Sequence, residues 1–156
     1  MRKRLVTPTA ERSTRPPGSL DLERDAVVEV TSEDKDFPVE SALVSENARG
    51  WRAEAPGRQT IRLIFDQPQK LKSVSLVFEE DQTQRTQEFV LRWSSDGGST
   101  LKEIVRQQWN FSPPESTREV EDYRVELENV NVLELIIKPD IAGGTARASL
   151  KNLRLS

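Results

Sequence analysis

Ten residues, Phe89-Val90-Leu91-Arg92-Trp93-Ser94-Ser95-Asp96-Gly97-Gly98, narrow the choice of fold more than any other stretch of the chain. Phe89, Leu91 and Trp93 fall on one side of an extended chain and Val90 and Arg92 on the other, the period-two alternation of a half-buried strand. The run stops at Ser-Ser-Asp-Gly-Gly. Asp followed by Gly marks a tight turn, because Gly accepts the positive φ that such a turn needs. The stretch therefore predicts a strand with a large aromatic inner face that enters a hairpin.

The same alternation recurs along the chain. It is found at Ala26–Val30, at Ile61, Leu63 and Phe65 (ended by Asp66-Gln67-Pro68), and at Val74, Leu76 and Phe78. It returns after the hairpin with Ile104 and Val105, then at Tyr123, Val125 and Leu127, at Leu133, Leu135 and Ile137, and at Ala148 and Leu150. Leu153 and Leu155 sit on the opposite parity, and a bulge near Lys151-Asn152 restores the phase. Between residues 41 and 51 a short apolar step leads through a turn to Trp51. Pro56-Gly57, Pro139-Asp140 and Gly143-Gly144 punctuate the remainder. No stretch carries a helical stripe or a β-α-β rhythm. About eight short strands separated by turn signals predict an all-β fold, an antiparallel eight-stranded β-sandwich or jelly roll.

Composition bounds the chemistry. A chain of 156 residues makes one domain with a real core. It has no Cys, which excludes disulfides, a thiolate nucleophile and Cys-based zinc sites. It has no His, which removes the commonest general base and transition-metal ligand and makes a Ser-His-Asp triad impossible within the chain. Neither a phosphate-binding loop nor a dinucleotide fingerprint is present, so no cofactor is expected. Residues 1–22, rich in Arg, Thr, Ser and Pro, read as a disordered basic tail, with the folded domain over 23–156. Residues 1–20 carry a net charge of +4, which leaves −7 on the rest of a chain whose total is −3. An acidic body argues against nucleic acid as the main ligand. No apolar run is long enough to insert in a membrane. Met1-Arg2-Lys3-Arg4 resembles the start of a signal peptide, but Leu5-Val6 gives way to Thr7-Pro8-Thr9 and no apolar segment forms, so the chain reads as cytoplasmic.

Three polar connections, 32–38, 79–86 and 106–112, read as loops that carry the candidate binding residues. They hold Phe37, Glu79, Asp81, Arg85, Arg106, Gln107, Gln108, Trp109, Asn110 and Phe111. An aromatic platform with hydrogen-bonding groups around it suits a glycan or a peptide. Trp109 and Phe111 have two readings: contact residues, or caps on the open end of the core. Trp51 and Trp93 read as core from their place in the strand pattern. Glu79-Glu80-Asp81 reads as a solvated loop, because nothing singles out a pair of carboxylates for acid–base work.

Four segments resemble the discoidin family, the coagulation factor five/eight type C domains of the galactose-binding-like superfamily. They are Ala42-Leu43 with Trp51 eight residues on, the run Pro56–Phe65, the hairpin Phe89–Gly97, and Leu133–Ile137 with Ala148–Leu153. The resemblance covers roughly Asp25 to Ser156. It implies an eight-stranded jelly roll without catalytic machinery and with binding loops at one end. Members bind carbohydrates, phospholipid headgroups or protein partners. Many sugar-binding members hold a calcium ion with an Asp just after the Ala-Leu and a Glu in the last strand. Here Val44 and Lys151 or Asn152 occupy those places, and Glu46, Asn47 and backbone carbonyls could supply only a partial site, so no metal is expected. Sugar-binding members also tend to place an Arg early in the loop before the central strand, where this chain has Phe78-Glu79-Glu80-Asp81 and only later Arg85. The chain is accordingly expected to be a non-catalytic binding module for a carbohydrate, or alternatively a protein-interaction module of the same fold.

Overall fold

The computed structural model of the chain describes residues 2–5, 10–12, 25–44 and 49–156. Its elements are Arg2–Leu5 (β1), Ala10–Arg12 (β2), Ala26–Val30 (β3) and a one-turn helix, Glu40–Leu43 (α1). Trp51–Pro56 (β4), Gln59–Glu79 (β5), Arg85–Ser94 (β6) and Lys102–Phe111 (β7) follow. Arg118–Lys138 (β8), Arg147–Leu150 (β9) and Asn152–Leu155 (β10) complete the chain. The strands β3 to β10 number eight and build the expected sandwich.

Two long bent strands create both layers. β5 and β8 pair antiparallel from Gln59↔Ile137 to Glu79↔Arg118, with shifts of register between Ile64 and Ser73. Pro68, which has no amide hydrogen to donate, lies in this bend, and Asn129 opposite adopts φ 56°. The first half of β5 pairs with β3, and the second half of β8 with β6, which pairs in turn with β7. The second half of β5 pairs with β10 on one side and the first half of β8 on the other. The strand ends predicted at Asp66-Gln67-Pro68 and before Leu133 are therefore bends in continuous strands.

The layers meet through aromatic rings. Phe78 of β5 lies 5.2 Å from Phe89 of β6, and Tyr123 of β8 approaches Phe89 edge-on at 6.4 Å. Leu63, Leu71, Leu76, Leu91 and Leu133 fill the space around them and are wholly buried. Each such side chain contributes about 1.5–3 kcal/mol of transfer free energy. Trp51 is 1% exposed, as its pattern predicted, whereas Trp93 is half-buried at the margin of the core with Lys102 over its ring at 5.2 Å.

Four expectations need correction. Arg106–Phe111 is not a loop: it is the second half of β7, in register with β6 from Arg85↔Phe111 to Val90↔Arg106. Arg2–Leu5 is not tail but a strand parallel to β3, with β2 antiparallel beside it; the rest of the presumed tail lies outside the described residues. Lys3 is 2% exposed and donates to Glu33 at 3.0 Å and to Glu40 at 2.5 Å, which is why so basic a segment can dock. The segment before Pro56 is a strand, β4, that pairs with β9. The phase slip near Lys151 is not a bulge but a change of sheet: β9 pairs with β4 and β10 with β5, so both parities end up inward.

On the outer face of the first layer, Glu134 of β8 sits opposite Arg62 of β5 and Arg92 of β6. Arg62 Nε donates to it at 3.0 Å and Arg92 Nε at 2.8 Å, and the Nη2 atom of each guanidinium makes a second bond. Burial alone would raise this carboxyl, but the two guanidiniums outweigh it and hold Glu134 below the ordinary carboxylate value.

Candidate functional site

The loop after β3 and the start of β4 are tied together by main-chain bonds. Asp34 N–H donates to Arg52 C=O at 2.8 Å, and Arg52 N–H donates to Phe37 C=O at 3.1 Å. Gly50, at φ 85°, brings the chain within van der Waals reach of Leu150, where an added Cβ would lie 2.8 Å from the Leu150 carbonyl oxygen. This places Trp51 in the core, with its indole N–H on the Ser32 carbonyl at 3.0 Å, and turns the side chains on either side of it outward. The guanidinium of Arg52 stacks 4.7 Å from the Phe37 ring centre and that of Arg49 at 4.9 Å. Both arginines are exposed, and neither forms an ion pair among the described residues.

These residues form one wall of a cleft of about 360 Å³ at the end of the sandwich. Glu79, Asp81 and Gln82, from the end of β5 and the turn after it, and Lys151 at the β9–β10 junction line the rest of it. Glu79 is held by Lys151 at 3.7 Å and Arg118 at 3.9 Å. Glu80 accepts from Arg85 Nε at 2.7 Å; burial acts to raise its carboxyl, but the Arg85 bond prevails and lowers it. Asp81 is exposed and lines the same cleft as the two arginines; among the described residues its one hydrogen-bond partner is the Gln82 amide at 3.2 Å. The cleft thus offers unpaired cationic donors together with an acceptor.

Of the residues chosen from the sequence, Phe37, Glu79 and Asp81 come together here. The others do not. Arg85 is 4% exposed: its guanidinium lies 4.8 Å over the Phe111 ring and donates to the Pro139 carbonyl at 2.7 Å and to Gln87 at 3.3 Å. Phe111 is wholly buried, so its core-capping reading holds. Arg106 and Gln108 stand on the outer face of β7, both donating to Glu88 at 3.0 Å, and Asn110 accepts from Thr86 at 2.7 Å. Trp109 and Gln107 are half-buried, and Trp109 packs against the core. Sequence reasoning missed Arg49 and Arg52. Their signal was the placement of two arginines around Gly50-Trp51 beside a loop Phe.

A family model described as the XRCC1 N terminal domain matches residues 19–130. The chain belongs to this family. Curated proteins offer no match. Solved structures show the fold of this XRCC1 N-terminal-type domain in other settings. A pectin-binding carbohydrate-binding module is 12% identical, with a TM-score of 0.62 over 85% of this chain and 91% of that one. The family 32 module of AlyQ, solved with 4,5-unsaturated mannuronic acid, is 15% identical, with a TM-score of 0.58 over 83% and 92%. The family 32 module of Clostridium perfringens NanJ, solved with galactose, is 14% identical, with a TM-score of 0.60 over 83% and 92%. Family and neighbours share the galactose-binding-like fold that the discoidin resemblance implied.

Places that hold calcium in sugar-binding discoidin domains are differently used in this XRCC1 N-terminal-type domain. Val44 is buried and Lys151 pairs with Glu79, while Glu46 and Asn47 lie outside the described residues.

Proposed function

We propose that the chain is a non-catalytic binding module whose cleft over Phe37 takes a carboxylate-bearing carbohydrate. The observation that carries this reading is the pair of exposed guanidiniums, Arg49 and Arg52, stacked on Phe37 and outside any ion pair among the described residues. A guanidinium presents a planar fork of donors that matches a carboxylate, and stacking on the ring holds it ready for the ligand. Asp81 and Gln82 in the same cleft supply acceptors and a donor for hydroxyls. The ligands of two neighbours, pectin and an unsaturated mannuronic acid, have this chemistry and support the choice of an acidic sugar. Catalysis has no support here, since Glu79 and Glu80 are each committed to a cation and leave Asp81 without a second free carboxylate to work with.

The test is calorimetric titration with trigalacturonic acid and with a neutral galactose trisaccharide. The acidic sugar is expected to bind and the neutral one to bind at least tenfold more weakly. Arg52→Ala should weaken the acidic sugar by about tenfold, or ~1.4 kcal/mol, without loss of folding. A folded sample that ignores both sugars would overturn the glycan reading and leave the protein-interaction reading, which membership of the XRCC1 N-terminal domain family leaves open.

A further inference from the structure

The side of the sandwich away from β3 is open. β7 pairs only with β6, and the Arg118–Arg124 stretch of β8 pairs only with β5, so among the described residues each has a free edge. Between them lies a polar cluster where core would be expected. Trp109 stands beside Gln87 in the β6–β7 register, and Gln87 Nε2 crosses to the other layer to donate to Glu119 Oε1 at 3.2 Å. Glu119, Glu121 and Tyr123 share the inward parity of β8 with Val125 and Leu127. Glu119 is 0% exposed, yet its Oε2 atom has no hydrogen-bond partner. The same holds for Glu121 Oε2, the Tyr123 hydroxyl and Trp109 Nε1, all buried.

Elsewhere the molecule satisfies such groups: Trp51 Nε1 has a carbonyl and Glu134 has two guanidiniums. Buried polar atoms left without partners are costly and rare. The two carboxyls meet this by sharing a proton between Glu119 and Glu121, but the Tyr123 hydroxyl and Trp109 Nε1 are left without a partner, and a pocket of such atoms calls for a ligand. Its chemistry is set by the cluster. Two carboxyls favour a cation through charge-assisted bonds, and the faces of Trp and Tyr attract one as well. A bare metal ion is poorly served, since among the described residues no third carboxylate joins the pair. The free edge of β8 offers main-chain groups to an extended segment, and Val120 on that edge is 51% exposed.

We propose that an extended segment of a protein partner adds along the Arg118–Arg124 edge of β8 and sends a lysine or arginine side chain between Trp109 and Tyr123 to Glu119 and Glu121. The site without ligand holds a proton where the cation would sit: burial first, and the neighbouring Glu121 second, push the Glu119 carboxyl up to about 9. Arg85, which donates to Gln87, is the opposing cation that limits this rise.

The test is a ¹H–¹⁵N NMR titration of the full chain with four acetylated, amidated pentapeptides, Thr-Val-Xaa-Val-Thr, with Lys, Arg, Gln or Glu at the centre. Lys and Arg peptides are expected to shift the Trp109 indole signal and the amides of residues 118–124, and to bind at least tenfold more tightly than the Gln and Glu peptides. The double variant Glu119→Gln, Glu121→Gln is expected to stay folded and lose that discrimination, while Arg52→Ala leaves it intact. Equal binding of all four peptides, binding of none, or shifts confined to residues 49–52 and 79–82 would each overturn the proposal.

Discussion

Glu119 and Glu134 lie on the same strand, β8, and both are buried to within 1% of completely, yet their surroundings could hardly differ more. Glu134 faces outward between Arg62 and Arg92, and its charge is fully met. Glu119 faces inward, with one amide donor and a second carboxyl for company. The first is pushed below the ordinary carboxylate value and the second far above it. Burial alone therefore does not make a carboxylate structural or functional. What decides is whether the fold supplied the counter-charge itself. Where it did, the group is part of the scaffold; where it did not, the group is available to a partner.

The largest loss of stability is expected from Glu134→Gln, which leaves two guanidiniums without their shared anion and should destabilise the domain by roughly 2–3 kcal/mol. Chemical denaturation at pH 7 measures this. The folded carboxyl titrates below the unfolded value of 4.5, so its contribution is present above that value and lost as pH falls through the lower folded value. The variant should therefore differ from the parent at neutral pH and converge with it in acid.

Glu119→Gln should do the opposite. The folded carboxyl titrates near 9 and the unfolded one near 4.5, so the protonated group favours folding fully below 4.5 and progressively less as pH rises toward 9. An amide cannot ionise, so the variant is expected to gain roughly 3 kcal/mol on the parent at pH 7 and nothing at pH 4. Denaturation midpoints at the two pH values decide it. An equal difference at both would mean that Glu119 is ionised in the native state and that the contrast with Glu134 is false.

A smaller effect sharpens the comparison at the sheet edge. Lys3 is a buried cation with its counter-charges in place: burial acts to lower it, but bonds to Glu40 and Glu33 prevail and raise it. Lys3→Ala should cost about 1 kcal/mol, felt locally as faster hydrogen exchange in β1 and β3 rather than as global unfolding.

The layered fold was readable wherever inward positions were apolar. Phe89 and Leu91 announced β6, and Leu133, Leu135 and Ile137 announced the second half of β8, because every second residue is buried. The reading failed where the sandwich is open. Along β7 the inward row is Val105, Gln107, Trp109 and Phe111, and the glutamine interrupts the apolar alternation enough to suggest a loop. Along β8 the inward row begins with Glu119 and Glu121, so the alternation was recognised only from Tyr123 onward. Their common parity with Tyr123 was visible, but charged residues at inward positions look like surface unless something is expected to neutralise them. The cleft was half legible: Phe37, Glu79 and Asp81 lay in connections, whereas Arg49 and Arg52 gather over Phe37 only through the main-chain bonds that tie β4 to the loop before it.

The change of sheet at Lys151 also governs when the molecule can assemble. β9 reaches back to β4 through Trp51↔Leu150, and β10 reaches back to β5 through Val74↔Leu155. Every one of these contacts joins residues far apart in the chain, as do those between β5 and β8. Such non-local pairing makes folding slow, because loop closure must precede any gain from the contacts it permits. During synthesis the second layer stays open-sided until Leu155 has emerged, with Leu71, Val74 and Leu76 lacking part of their final cover. A ribosome paused before that point would hold a half-built sandwich that presents this apolar strip to whatever is nearby.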